Sequence, residues 1–213
     1  DCSVGPDGNI WVCEFGGNDR VQVFTPEGTF VRTFGAHGRA PGQFDRPQSI
    51  AFSPDRQEVI VCDACNHRIQ VLALDGTPKR AFGSAGEAPG QFAYPYGLAV
   101  LPDGTALVTE FGNHRLQRID LRDGRSLGTV RMVGNAPTPL VLHVVDGDRV
   151  RSMPSGENGL RFPWALAVRG DRAFILDSGH SRVLVAPLRS LTTADAPPIP
   201  AGTPAGTVPG PSS

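Results

Sequence analysis

Four times along the chain an acid and an arginine stand about six residues apart across a short polar turn. They are Glu14 and Arg20, Asp63 and Arg68, Glu110 and Arg115, and Asp177 and Arg182. Asparagine sits between them in three copies, at Asn18, Asn66 and Asn113, and the fourth copy has His180 there. A carboxylate and a guanidinium at this spacing can form a charge-assisted pair that holds a tight turn. Arg20, Arg68, Arg115 and Arg182 gathered on one surface could instead bind an anion. The pair recurs in every copy, whereas site chemistry normally occurs once, so the stronger expectation is a loop-holding role.

Histidines are the second candidates. The chain has five, His37, His67, His114, His143 and His180. His67 and His114 occupy the same slot, directly before the arginine, and His180 is one position off. Histidines brought together from separate copies could hold Zn²⁺. However, the slot also takes Asp19 and Ser181, and no HxH or HxxxH spacing supports a metal. The expectation is therefore no cofactor, with zinc or calcium on His67, His114 and His180, or His143, as the alternative. Cys62 and Cys65 have CxxC spacing, but one such pair without a second is a weak metal signal. Cys2 and Cys13 flank a hairpin, where two buried thiols or a disulfide would fit. Ser178-Gly179-His180-Ser181 does not match the GxSxG nucleophile elbow. No glycine-rich phosphate loop leads into a helix.

The elements that carry these residues repeat. FGAHGRAPGQFDRPQSIAF (34–52) returns as FGSAGEAPGQFAYPYGLAV (82–100), 48 residues on, with ten of nineteen positions identical. The arginines are spaced by 48, 47 and 67 residues. A period of 40 to 50 residues denotes stacked supersecondary units, each unable to bury its faces alone. No stretch sustains a helical apolar period. Runs of four to six residues rich in Val, Ile, Leu and Phe are separated by PDG, DG and GN turns. The unit from Gly97 parses as strands near 98–101, 106–110, 115–119 and 126–132. Four antiparallel strands per 47-residue unit make a β-propeller blade. The fold class is therefore all-β, with blades near 1–35, 47–83, 95–132 and 163–190, about four in number and not obviously a complete ring.

The pattern GQFxxPxGxAVxPDGxxxVxDxxNxRxQVF resembles the NHL repeat family. Gly90, Gln91, Phe92, Pro95, Gly97, Ala99, Val100, Asp103, Gly104, Val108, Asn113 and Arg115 match it, and the resemblance covers roughly residues 1–190. It implies a ring with more blades than four, of six-bladed type. It also implies three kinds of relative: binding scaffolds, RNA binders, and a metal-dependent enzyme similar to the peptide-amidating lyase, whose sequences resemble Cys65-Asn66-His67-Arg68-Ile69.

In an up-down-up-down blade, the loop after the second strand and the loop entering the next blade emerge at one end. The acid–Asn–Arg loops and the GQF loops should thus share one face. Phe44 and Phe92 are expected to pin adjacent sheets. The third GQF copy is split, beginning at Val133 and finishing at Gly159–Trp164. The twenty or so residues between (138–158) read as a hairpin, favoured as an insertion decorating the loop face. The fourth blade then lacks its outer strand. Three outcomes are open: a fragment of a larger propeller, which the non-Met start in mid-repeat favours, a small ring completed by the hairpin, or closure by self-association of two chains. The Pro/Gly/Ala/Ser-rich stretch 191–213 has little to bury and is expected to be disordered.

Net charge is −1, with 20 basic and 21 acidic residues, and no basic run occurs. Nucleic acid is thus a disfavoured partner, and no apolar run is long enough for a membrane span. The leading expectation is a noncatalytic scaffold that takes a protein or small ligand on the loop face. Phe15, Phe111 and Trp164 are its candidate contacts, beside Arg20, Arg68, His67, His114, Arg115 and Arg182.

Overall fold

A computed structural model describes residues 1–130, 142–146, 149–153 and 159–192. Blade 1 contains β1 (Cys2–Val4), β2 (Ile10–Glu14), β3 (Arg20–Phe24) and β4 (Phe30–Phe34). Blade 2 contains β5 (Pro47–Phe52), β6 (Glu58–Asp63), β7 (Arg68–Ala73) and β8 (Pro78–Phe82). Blade 3 contains β9 (Pro95–Val100), β10 (Thr105–Glu110), β11 (Arg115–Asp120) and β12 (Ser126–Val130). Each is an antiparallel meander in chain order. The strands begin and end where the turn residues dictate. Asp103 illustrates this: its carboxylate accepts the Thr105 N–H (3.0 Å) and closes the Pro102-Asp103-Gly104 turn.

The fourth blade departs from the sequence expectation. It contains β13 (Leu142–Asp146), β14 (Arg149–Met153), β15 (Pro163–Arg169), β16 (Arg172–Asp177) and β17 (Arg182–Pro187), in the order β14-β13-β17-β16-β15. Within 138–158, β13 and β14 do pair antiparallel, with Asp146 opposite Arg149. The segment is not an insertion on the loop face. Its first strand pairs antiparallel with β17, His143 opposite Val185, and so supplies the outer strand that the fourth repeat had seemed to lack. The physical reason is the free edge of β17, whose N–H and C=O groups need partners. The nearest unpaired strand in the sequence precedes the blade instead of following it. The six-bladed expectation is likewise corrected, because the chain folds as four blades. The expected disordered stretch begins inside α1 (Leu188–Thr192), where Leu191 is buried against the fourth blade, and residues 193–213 lie outside the described residues.

Strand periodicity decides how the blades stack. Successive side chains point to opposite faces, so a blade with neighbours on both sides needs apolar residues at every position. Strand β6 meets this with Val59 and Val61 packed toward blade 1, and Ile60 and Cys62 toward blade 3. In β10, Ala106 and Val108 face blade 2 while Leu107 faces blade 4, and all six residues are buried. The end blades alternate instead. Strand β2 buries only Trp11 and Cys13, and strand β16 buries alternate positions with one further exposure. Blade-to-blade strand packing runs from 1 to 2, 2 to 3 and 3 to 4, with nothing comparable between 4 and 1 among the described residues.

One aromatic plug sits at each of the first two junctions. Phe44 and Phe92 are fully buried, as the repeat implied. Their loops close by single parallel bridges, His37 to Phe44 and Ala85 to Phe92. Gly83, at φ +106°, shows why the loop needs glycine: a Cβ there would stand 2.5 Å from the Phe92 ring. At the third junction Leu160 takes the plug position.

The four cysteines are free thiols. Cys2 is exposed and stands opposite Val12, so it neither faces Cys13 nor matches the expected buried pair. Burial pushes the Cys13 thiol up to about 12 and raises that of Cys62 well above its ordinary value. Cys2 should therefore react with a thiol reagent in seconds to minutes in the native protein. Cys13 and Cys62 should react only on unfolding, which a labelling time course by mass spectrometry will show.

An ion-pair cluster also ties blade 2 to blade 3. Arg80 binds Glu58 through both terminal nitrogens (2.9 and 2.7 Å), Lys79 adds a third contact, and the Arg80 Nε–H reaches the Leu121 carbonyl (2.8 Å). Chiefly through the Arg80 hydrogen bonds, the Glu58 carboxyl is held down at about 2 from an ordinary 4.5. A depressed carboxyl stabilises the fold fully above its unfolded value and loses that contribution as pH falls toward its folded value. Stability measured by urea titration should therefore fall between about pH 4.5 and 2. Glu58→Gln should flatten that dependence.

Candidate functional site

The acid, the arginine and an unanticipated glutamine build the loop face. In blade 3 the Glu110 carboxylate accepts hydrogen bonds from Arg115 Nε (2.5 Å), Asn113 Nδ2 (2.6 Å), Gln117 Nε2 (3.0 Å) and the Ala93 N–H (3.2 Å). Arg115 then donates to the carbonyls of Glu87, Ala88 and Gln91, and Gln117 accepts the Gly90 N–H. Every one of these groups holds the GQF loop down onto its own blade. Asp63 repeats the arrangement with Arg68, Asn66, Gln70 and the Asp45 N–H. Asp177 does so with Arg182, His180 and the Arg161 N–H. Glu14 binds Arg20, Asn18 and Gln22 but is part exposed. Burial pushes the Glu110 carboxyl up, while Arg115 and Asn113 oppose it.

Arg68, Arg115 and Arg182 are thus turned into the loops and do not form an open anion surface. The guanidinium of Arg115 is almost wholly buried. The glutamine was legible in the repeated RxQ, but its partners were not.

The residue before each arginine has a defined task as well. Asp19, His67, His114 and Ser181 all adopt left-handed backbone, at φ 45°, 53°, 51° and 50°. Three of these side chains reach across to the next blade and accept an N–H from its entry residue. Asp19 Oδ1 takes Arg46 (3.0 Å), His67 Nδ1 takes Tyr94 (3.3 Å) and His114 Nδ1 takes Phe162 (3.0 Å). An imidazole accepting at Nδ1 is neutral with its proton on Nε2. Each ring also packs against the entry residue's ring, tilted for His67 and Tyr94 (centroids 4.7 Å apart) and edge-on for His114 and Phe162 (4.5 Å). The structure therefore separates His67 and His114 at successive junctions, leaves His180 on Asp177 within blade 4, and does not gather the three. Among the described residues, one group of three acids or histidines has its ligand atoms mutually close, and it is Asp19, His37 and Asp45.

An aromatic cluster of the face lies at the junction of blades 3 and 4. Tyr96 and Trp164, each second in its blade's first strand, meet Phe111 from the turn after β10 and Phe162 from the blade 4 entry. Tyr96 stacks on Phe111 (4.9 Å) and meets Trp164 edge-on (4.9 Å), and Phe111 contacts Phe162 (4.8 Å) and Trp164 (5.7 Å). Trp164 remains 44% exposed. Farther round the face, Phe15 lies under the Arg46 guanidinium (5.3 Å), and Tyr94 is exposed beside His67. Of the aromatic residues foreseen from the sequence, Phe111 and Trp164 come together and Phe15 stands apart. Tyr96 and Phe162 were missed, because only the stacking of two blades brings them to Phe111.

The NHL repeat profile matches residues 44–72 and 92–119, which are the bodies of blades 2 and 3. The chain carries NHL repeats. No curated protein sequence matches it. Among solved structures, virginiamycin B lyase from Staphylococcus aureus is similar at 15% identity and TM-score 0.54, over 88% of this chain and 65% of that one. A gluconolactonase from Xanthomonas campestris is similar at 18% identity and TM-score 0.55, over 88% and 56%. A chain of a nidogen/laminin complex is similar at 18% and 0.53, over 87% and 74%. At these identities the likeness is one of fold. The NHL chain spans less than two thirds of the lyase and of the gluconolactonase.

The buried lock generates a contrast between blades. Arg115→Ala leaves Glu110 buried without its counter-charge and should cost about 3–5 kcal/mol. Arg20→Ala, at the exposed copy, should cost only a small fraction of that. Urea unfolding monitored by tryptophan fluorescence measures both.

Proposed function

We propose that this NHL propeller is a noncatalytic binding module whose loop face takes a protein partner through the aromatic patch of Trp164, Phe111, Tyr96 and Phe162. The observation that carries this reading is the half-exposed Trp164 resting on a preassembled aromatic bed. Rigid aromatic residues with one face buried and one face free lose little conformational entropy on binding, and such residues dominate interface energetics. The bed belongs to the scaffold and the free face is available to a partner. Arg161, whose guanidinium lies over Phe162 (5.7 Å), flanks the patch with positive charge. A partner that presents an apolar side chain beside a carboxylate would complement it.

An enzymatic reading draws support from the kinds of proteins that share the fold, which include a lyase and a gluconolactonase. Fold alone does not carry chemistry from one propeller to another. Of the histidines that would hold a metal in that reading, His67 and His114 are occupied as acceptors at separate junctions and His180 is bound to Asp177 within its own blade. RNA binding is disfavoured by the near balance of 20 basic and 21 acidic residues. No helix among the described residues is long and apolar enough to cross a membrane.

Panning a displayed peptide library on the full chain tests the proposal. Peptides combining an apolar anchor with an acid should be enriched, and Trp164→Ala should weaken the selected peptides at least about tenfold. Tyr94→Ala, exposed but outside the bed, should change binding little. Enrichment indifferent to Trp164, or lactone or lyase turnover abolished by the same substitution, overturns it.

A further inference from the structure

We propose that Asp19, His37 and Asp45 form a site for a divalent transition metal of the zinc class at the junction of blades 1 and 2. Their ligand atoms all lie within 4.8 Å of one another, and His37 Nδ1 is 2.8 Å from Asp19 Oδ2. A tetrahedral zinc ion with bonds of ~2.0–2.2 Å needs its ligands ~3.3–3.6 Å apart, so changes of about an ångström in their separations bring this group to coordination distance. One imidazole and two carboxylates favour zinc and its neighbours over magnesium or calcium, which prefer all-oxygen shells. Water would complete the shell.

Comparison of the two junctions shows that the fold does not require these three residues. At the second junction the corresponding positions are His67, Ala85 and Ala93, and the loop closes in the same way. What the fold requires is one acceptor for the entry N–H. His67 provides it with its single free ring nitrogen. Asp19 provides it with Oδ1, and its second oxygen, Oδ2, is hydrogen-bonded to His37 Nδ1 and not needed by the entry N–H.

Asp45 is surplus too. Its backbone N–H serves the lock, as that of Ala93 does, but among the described residues its carboxylate accepts no hydrogen bond. A cation between the half-buried Asp45 carboxylate and the buried Asp19 carboxylate would meet opposite charge on both sides. Asp19 is only 4% exposed and its orientation is fixed by the Arg46 N–H, as an outer hydrogen bond orients a metal ligand. The His37 side chain is mostly exposed, which gives an ion a route in. The competing cation, the Arg46 guanidinium, is over the Phe15 ring.

Calorimetric titration of the chelator-stripped full chain with Zn²⁺, and with Co²⁺ followed by visible absorption, tests the site. One ion per chain is expected, with Co²⁺ showing the bands of a nitrogen and oxygen shell. The double substitution His37→Ala with Asp45→Ala should weaken binding at least about a hundredfold, in line with the loss of two ligands. That variant copies Ala85 and Ala93, so its metal-free thermal transition should stay close to that of the unaltered protein, and only the unaltered protein should gain stability with Zn²⁺. No stoichiometric binding, binding unchanged by the double substitution, or preference for Ca²⁺ over Zn²⁺ overturns the assignment.

Discussion

A buried carboxylate that must be satisfied organises this propeller. Glu110, and its counterparts Asp63 and Asp177, end the second strand of their blades with an acid inside the protein. Such a charge is tolerable only with several donors close by. The donors come from the loop entering the blade, from the turn and from the third strand. Satisfying one carboxylate therefore assembles three segments far apart in sequence. Arginine suits the position because its five donors can hold the acid and still reach the loop carbonyls. In blades 2 and 3 the glutamine two residues on, Gln70 or Gln117, completes the set as both donor and acceptor.

The lock fixes each loop on its own blade, and a second contact fixes it to the blade before. Two successive N–H groups at the blade entry are taken by different blades: Asp63 takes Asp45 while Asp19 takes Arg46, and Glu110 takes Ala93 while His67 takes Tyr94. The residue before the arginine thus needs an acceptor and a left-handed backbone, and little more. Asp and His share the slot for that reason, and Ser181, in the last blade, shares its left-handed backbone. This tolerance leaves room for chemistry at one junction without cost to the others, and the Asp19 position exploits it. The aromatic patch arises in the same way at the other end. Entry residues and second positions of the first strands have no core duty, and at blades 3 and 4 they are Tyr96, Phe162 and Trp164.

The end blades follow a different constraint. Blades 2 and 3 are apolar on both faces, and their middle strands are buried at nearly every position. Blades 1 and 4 alternate, leaving Val4, Phe30 and Leu176 exposed. The fourth blade also draws its outer strands from residues that precede it. Hydrogen bonding of the sheet edge sets this arrangement, and loop length permits it.

The amino-acid sequence by itself determined the blade. A 48-residue repeat, period-two apolar runs and PDG turns leave few alternatives to four antiparallel strands, and the acid and arginine recurring five or six residues apart mark the loop between the second and third. The plugging role of Phe44 and Phe92 was legible for the same reason, because an aromatic residue repeated in a glycine-rich loop has only the next blade to pack against. Tertiary structure alone decided the rest. Whether 138–158 is an insertion or a strand depends on which edge is free, and that is a property of the folded sheet. Which histidine meets which partner depends on the offset between blades: His67 and His114, adjacent in the repeat pattern, end at different junctions, while Asp19, His37 and Asp45, unremarkable in sequence, end together. Local patterning specifies an element, but a site is made of residues on different elements, and their distances are set only when the blades stack.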